Sequence, residues 1–180
     1  FVDHLKLEAP VLLGNSLGGH IALVFNKLYP GVAKGMVLFG SSGLYESALG
    51  NSYPRRGDYS YIEERVKDVF FQKQVVTKEL VDEVFSIVND RMKAIKTLAI
   101  SKSAMRHNMA EDITSFHLPV CLIWGRQDAV TPPEVADKFH ELLPDSDLFW
   151  IDNCGHAAMM EHPQEFNIIV DEWLKKIEVA

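Results

Sequence analysis

The feature that most constrains this sequence is the stretch Gly14-Asn15-Ser16-Leu17-Gly18, which follows an apolar run and opens an amphipathic segment. Residues 10–13 suit a buried strand, and apolar residues recur at helical spacing through 17–29. In this context the pattern G-x-S-x-G predicts a serine on a tight strand-to-helix turn, with its hydroxyl exposed at the carboxyl edge of a sheet. Small neighbours would let the backbone pass close on either side of the serine.

A serine in this position suits nucleophilic chemistry. The following helix presents its positive end to the turn, and the backbone N–H of Leu17 is predicted to donate to a developing oxyanion. The pentapeptide alone leaves an alternative, in which the glycines form a turn and Ser16 only caps the helix.

Two further reactive side chains follow later predicted strands. Asp128 comes after the strand at 118–124, and His156 comes after the strand at 147–151. Because ligands and reactive groups of open α/β sheets gather at the carboxyl edge, we expect Ser16, Asp128 and His156 to meet there as nucleophile, orienting acid and base.

Other side chains compete for the acid and base roles. Asp152 is the rival acid, but it lies only four residues before His156 and has an alternative role as a loop cap. His20, in the helix after the nucleophile, is expected to be packed or solvent-facing. His162 precedes Pro163 and is expected to help start the last helix.

The order of predicted elements indicates an α/β fold with a helical insertion. Four apolar runs have the length of buried strands: 10–13, 33–39, 118–124 and 147–151. Three amphipathic helical stretches follow one another in the middle of the chain: near 59–73, 77–89 and 91–107. We therefore predict a mostly parallel sheet flanked by helices, formed by 1–43 and 116–180, and a helical lid at 44–115.

Composition narrows the partners of the chain. Of its 180 residues 47% are hydrophobic and 24% charged, and the net charge is −7. The basic residues are scattered, which argues against nucleic acid or an anionic membrane as partner. Histidines and acids lack metal-binding spacing, and the glycine-rich turn lacks the lysine of a phosphate loop. We expect a small-molecule substrate, no metal and no cofactor.

The cysteines and the apolar runs bear on location. Cys121 and Cys154 cannot form a disulfide framework. Cys121, in an apolar strand-like run, is predicted to be a buried thiol, and Cys154 is expected to pack in the loop beside His156. No apolar run approaches the roughly 18 residues of a membrane helix. A cytoplasmic location fits these features, although a signal segment would precede Phe1.

With these motifs the sequence resembles the α/β-hydrolase superfamily over nearly its whole length. It is most similar to the lid-bearing group of esterases, lactonases and meta-cleavage-product hydrolases. The shared motifs are Gly14 to Gly19, Cys154-Gly155-His156, Glu161-His162 and Phe166-Asn167. The sequence differs at Ala157, where the meta-cleavage-product hydrolases usually have tryptophan.

The resemblance implies a serine hydrolase that cleaves an ester or related acyl bond through an acyl-enzyme. The alternatives are a carbon–carbon bond hydrolase of the meta-cleavage-product type and a non-catalytic ligand receptor on the same fold. It also implies that a second oxyanion donor and the first strands of the sheet precede Phe1. We therefore expect an N-terminal segment, or a second copy in a homo-oligomer, to complete the sheet.

Overall fold

Parallel strands form the centre of the computed structural model, which describes residues 1–46 and 55–179. Within those residues the strands are β1 (Val11–Asn15), β2 (Gly35–Phe39), β3 (Val120–Gly125) and β4 (Ser146–Ile151). Neighbouring strands pair in the order β1-β2-β3-β4, and every pair is parallel. The parallel sheet flanked by helices is thus confirmed.

Helices occupy most of the remaining described chain. They are α1 (Val2–Leu5), α2 (Leu17–Leu28), α3 (Tyr59–Lys67), α4 (Lys78–Asn89), α5 (Arg91–Arg106), α6 (Ala110–Ile113), α7 (Pro133–Leu142), α8 (Ala158–Glu161) and α9 (Pro163–Val179), with a 3₁₀ turn at Lys73–Val75. Helices α2 and α7 pack on strands of the sheet, and α9 packs against β3.

The two faces of the sheet are buried against different helices. All residues of β2 and β3 are buried. Leu38 faces the cluster that holds Leu23 of α2 and Phe139 of α7. The next residue, Phe39, faces the opposite cluster, which holds Trp173 of α9. Since both faces are covered, these strands have continuous apolar sequences rather than alternating ones.

Strand β1 extends closer to Ser16 than the sequence predicts. It was expected at 10–13, but Gly14 and Asn15 continue the ladder by pairing with Leu38 and Phe39. The predicted glycine-rich turn is therefore confined to Ser16, because helix α2 begins at the next residue.

The first helix of the insertion ends earlier than the predicted 59–73. It stops at Lys67, where the N–H groups of Val69 and Phe70 donate to Val66 and Lys67, three residues back. Bonds of this kind tighten the last turn of a helix and end it. Residues 69–72 then run past the loop that carries His156.

Helices α3 and α4 form a third apolar cluster away from the sheet. Its buried members include Ile62 and Val66 of α3 and Val81 of α4, together with Ala157 beside His156. Helix α5 has no buried residue and leaves Ile95 and Ile100 about half exposed. The predicted insertion also includes residues 47–54, which lie outside the described residues.

Candidate active site

Ser16 occupies a strained backbone position between β1 and α2. Its φ of 51° and ψ of −119° lie in a region that residues with a side chain rarely adopt. The surrounding chain holds it there, because its N–H donates to Phe39 O at 3.2 Å and its carbonyl accepts from Ser42 N at 3.1 Å. Backbone strain of about 1–3 kcal/mol is typical of functional sites.

Of the two glycines in the G-x-S-x-G pattern, one is sterically required. A Cβ on Gly14 would lie 2.3 Å from the carbonyl carbon of Gly18, so no side chain fits there. A Cβ on Gly18 would meet nothing within 4 Å. The expectation that both glycines permit close backbone approach therefore holds only for Gly14.

Asp128 is a buried carboxylate with a full set of hydrogen bonds. Its Oδ1 accepts from Val130 N at 2.8 Å and from Thr131 N at 3.0 Å. Its Oδ2 accepts from the Thr131 hydroxyl at 2.9 Å and lies 2.8 Å from His156 Nδ1. These bonds fix the carboxylate against the imidazole.

His156 is held through both its ring and its backbone. Its N–H donates to Val69 O at 3.0 Å, and its carbonyl accepts from Asn15 Nδ2 at 3.2 Å. The ring lies against Gly40, whose added Cβ would fall 2.9 Å from His156 Nδ1. Gly40 has a φ of 50°, so glycine is also favoured there by conformation.

Asn15 links the nucleophile turn to the histidine loop. Its Nδ2 donates to Phe39 O at 2.9 Å as well as to His156 O. Since Asn15 directly precedes Ser16, one side chain fixes the spacing of two loops that follow β1 and β4. The structure thus brings Ser16, Asp128 and His156 to the same carboxyl edge.

Nδ1 of the His156 ring faces Asp128, which leaves the other ring nitrogen for a different partner. When Nδ1–H donates to Asp128, the other ring nitrogen, Nε2, carries the free lone pair. Within the described chain no direct hydrogen bond joins Ser16 Oγ to this ring.

The backbone N–H of Leu17 is available as an oxyanion donor. Leu17 is the first residue of α2, and the first N–H groups of a helix have no acceptor within it. This N–H lies next to Ser16 at the positive end of the helix dipole.

The rival residues lie in other surroundings. Asp152 is exposed and pairs with Arg126 at 2.8 Å, away from the imidazole. His162 lies between α8 and α9, and its Nε2 is 3.0 Å from Asn153 O. Both cysteines are buried thiols, and burial, with a smaller contribution from nearby carboxylates, raises the pKa of Cys121 and of Cys154 to about 12.

His20 is buried and forms a contact that the sequence did not indicate. Its Nε2 lies 3.0 Å from His107 Nδ1, and the two rings are nearly parallel, with an angle of 7° between them and centroids 5.2 Å apart. Burial, and then the neighbouring His107, lowers the pKa of His20. The pair joins α2, which begins beside Ser16, to the end of α5.

Sequence reasoning missed three residues that hold Asp128 and the loop of His156 in place. Thr131 binds Asp128, Asn15 binds His156 O, and buried Glu161 accepts from Gly155 N at 2.8 Å. The spacing Asp128-x-x-Thr131 is a local signal that could have indicated the first. Asn15 and Glu161 stand inside quoted motifs, but no local pattern assigns them partners distant in sequence.

Neither a metal-binding cluster nor a membrane span is found among the described residues. Within residues 1–46 and 55–179, no group of three or more His, Cys, Asp or Glu side chains is placed so that it could hold a metal ion. Within the same ranges, none of the helices combines the length and apolar character needed to cross a bilayer. The cytoplasmic location stays a prediction.

Two curated proteins with related sequences are named as hydrolases. The chain is 27% identical over 182 residues to the 2-hydroxy-6-oxo-6-(2'-aminophenyl)hexa-2,4-dienoic acid hydrolase of Metapseudomonas resinovorans, covering 92% of this chain and 60% of that protein. It is 26% identical to the 2-hydroxy-6-oxononadienedioate/2-hydroxy-6-oxononatrienedioate hydrolase of Comamonas testosteroni, covering 96% of this chain and 65% of the relative. The chain thus spans less than two thirds of the length of these curated relatives.

Solved structures and a family profile agree with this relationship. The crystal structure of MGS-MChE2, an alpha/beta hydrolase enzyme from a sediment metagenome of the Mar Chica lagoon in Morocco, is 49% identical. It superposes with a TM-score of 0.76 over 99% of this chain and 66% of that chain. The profile described as alpha/beta hydrolase fold matches residues 1–163. The chain therefore belongs to the α/β-hydrolase fold family.

Proposed function

We propose that this protein is a serine hydrolase that cleaves an ester or related acyl bond of a small molecule through an acyl-enzyme. The observation that carries the proposal is the 2.8 Å contact of Asp128 Oδ2 with His156 Nδ1, at the sheet edge where Ser16 stands on its strained turn. A capping serine would not need a buried imidazole and carboxylate beside it.

In the first half-reaction, His156 Nε2 takes the proton of Ser16 Oγ as the oxygen attacks the substrate carbonyl. Asp128 stabilises the imidazolium that forms and holds its tautomer. The Leu17 N–H donates to the oxyanion, and one such donor contributes about 3 kcal/mol to transition-state stabilisation. The imidazolium then protonates the leaving alcohol, and the acyl group stays on Ser16.

In the second half-reaction, His156 removes a proton from water, which attacks the acyl carbon. The tetrahedral intermediate collapses, Ser16 regains its proton from His156, and the acid leaves.

Carbon–carbon bond hydrolysis is the second candidate. The curated relatives described above are named as hydrolases of 2-hydroxy-6-oxo dienoic acids, which favours it. Ala157 favours the ester reading, because a small buried residue follows His156 where tryptophan is usual in the meta-cleavage-product group. A receptor without turnover would have no use for the strained nucleophile.

Turnover of two substrate classes separates these candidates. The full-length protein and its Ser16→Ala variant are each assayed with p-nitrophenyl acetate and with a 2-hydroxy-6-oxo dienoate. We expect ester hydrolysis that the substitution reduces by about 10⁴-fold or more. Rapid cleavage of the dienoate without esterase activity would establish the carbon–carbon reading, and ligand binding without turnover would establish the receptor reading.

We further propose that residues 44–115 act as a lid over the site and shape the substrate pocket. Two contacts support this: α3 and α4 pack on Ala157 beside His156, and His107 at the end of α5 meets His20 on α2. A cavity of about 280 Å³ lies between α2 and α5, lined by Leu17, His20, Ile21, Val24, Ile100, Ser103, Ala104 and His107.

Filling this cavity tests the lid. Ala104→Trp should lower kcat/KM for long-chain p-nitrophenyl esters more than for the acetate, because the indole takes space from the longer acyl chain. Ala99→Trp, on an exposed position of the same helix, is the matched control. Equal losses for short and long esters in Ala104→Trp would contradict the proposal.

We also infer that another strand completes the sheet at β1. Among the described residues β1 pairs only with β2, and Leu13 on this edge strand is 52% exposed. Open strand edges with apolar side chains pair readily with other strands. The added strand would come from the same polypeptide or from a second copy.

A further inference from the structure

Glu161 is a buried carboxylate that the proposed acyl transfer does not use. Its side chain lies at the end of α8, and the residue is only 6% exposed. Oε1 accepts from Gly155 N at 2.8 Å, and Oε2 accepts from Gln72 N at 2.8 Å. Burying a carboxylate is costly unless it is hydrogen-bonded. The two hydrogen bonds offset this cost for Glu161.

The two N–H donors belong to distant parts of the chain. Gly155 directly precedes the base His156, and Gln72 belongs to the helical insertion, after α3. In addition, His156 N donates to Val69 O at 3.0 Å. A carboxylate bridge through Glu161 and one direct backbone hydrogen bond therefore join the loop of His156 to residues 69–72.

Gly155 packs so closely against residues 69–71 that no side chain fits at its position. A Cβ on Gly155 would lie 2.7 Å from Phe71 N and 2.8 Å from Val69 O. A carboxylate suits the junction because it offers an acceptor oxygen to each of two N–H donors. A glutamine side chain would offer one acceptor and turn an NH₂ group toward the other donor.

We propose that Glu161 is a positioning residue, whose carboxylate fixes His156 relative to Ser16 by binding the histidine loop to residues 69–72. This inference rests on the function proposed above. It makes residues 69–72 part of the support of the base, so that a lid that opens would hinge beyond Gln72. A shift of about 1 Å in a reacting group can cost about a hundredfold in rate.

Substitutions at Gln72 test the bond from the insertion side. Gln72→Pro removes the N–H that donates to Glu161, and the φ of −82° at this position is close to that of proline. Gln72→Ala keeps the N–H and controls for the side-chain contact with His162 Nε2 at 2.7 Å. We expect Gln72→Pro to lower kcat about tenfold or more with little change in KM, and Gln72→Ala to change neither appreciably.

Glu161→Gln tests the same bond from the carboxylate side. Glu172→Gln, at an exposed position on α9, is the matched control. We expect the same selective loss of kcat, together with faster hydrogen exchange at the Gly155 and Gln72 amides. Hydrogen exchange requires no activity, so it tests the coupling even if Ser16 proves unreactive and the proposed function fails.

Kinetics and thermal unfolding of these variants decide whether Glu161 positions His156. A fall of kcat in Gln72→Pro and Glu161→Gln, in samples that thermal unfolding shows to be folded, supports the proposal. Activity like that of the two controls would overturn it, as would a loss that only tracks the unfolded fraction. If Glu161→Gln does not fold, Gln72→Pro alone decides on the same criteria.

Discussion

Asp128 and His156 lie 28 residues apart in sequence, yet Oδ2 of the first is 2.8 Å from Nδ1 of the second. Both follow strands that are neighbours in the sheet, β3 and β4, so the parallel topology brings their loops to one edge. Asp128 is also held by Thr131, whose own carbonyl accepts from buried Trp124 Nε1 at 2.8 Å. The acid is thus fixed to the core of the sheet.

The first prediction concerns the identity of the acid. Asp128→Asn should keep the fold but present an amide to His156, which favours the wrong imidazole tautomer. In serine hydrolases of this design such a change lowers kcat by about 10⁴-fold. Steady-state kinetics with p-nitrophenyl acetate measure the effect.

Asp152→Asn is the matched control. Because Asp152 is exposed and bound only to Arg126 among the ion pairs of the described chain, kcat should change less than about twofold. A larger loss in Asp152→Asn than in Asp128→Asn would reverse the acid assignment.

The second prediction concerns Gly40. The methyl group of Gly40→Ala would overlap the His156 ring, so the ring must move away from its place against this backbone. We expect kcat to fall about tenfold to a hundredfold. Gly31→Ala controls for backbone strain, since Gly31 has a φ of 79° but open space around the added methyl. Equal kinetic effects of the two variants would rule out a steric role.

The third prediction concerns pH and stability. The pKa of His20 is lowered below the ordinary value of about 6.5, so between these two values the unfolded chain binds more protons than the folded one. The free energy of unfolding should therefore fall as pH drops through this window. In His20→Gln, thermal unfolding temperatures should decrease less between about pH 7 and about pH 5.

His4→Gln is the control for that measurement, because His4 is exposed on α1. Its unfolding temperatures should follow those of the unmodified protein across the same pH range. An unchanged pH dependence in His20→Gln would show that the His20–His107 contact does not govern acid sensitivity.

The fourth prediction concerns the open edge at β1. The 180-residue chain prepared alone should self-associate through this strand, and Leu13→Lys should reduce association by placing a charge on the edge. Leu28→Lys, which replaces an exposed leucine at the end of α2, should have a smaller effect. Sedimentation velocity reports the masses. A monomer at all accessible concentrations would contradict the expectation.

Local sequence was sufficient to predict the sheet and to nominate the triad side chains. Each candidate follows an apolar run with the length of a strand, and parallel strands bring such positions to one edge. The exact ends of β1 and α3 were not predictable in this way. They depend on pairing with β2 and on the turn that brings Val69 to His156.

The long-range contacts could not be predicted from local patterns. Asn15 and His156 are 141 residues apart, and His20 and His107 are 87 apart. Glu161 binds Gln72 across 89 residues, from a helix of only four residues. Helical or strand periodicity does not indicate these partners, because the contacts depend on how the loops and the helices at 59–106 pack in three dimensions.

The central claim is that Ser16 is an activated nucleophile, and covalent labelling tests it most directly. The full-length protein is treated with a fluorophosphonate probe, and the modified peptide is identified by mass spectrometry. We predict labelling on Ser16 that is abolished by Ser16→Ala and strongly slowed in a variant with His156→Ala. A folded protein whose Ser16 stays unlabelled, or whose labelling does not depend on His156, would contradict the account.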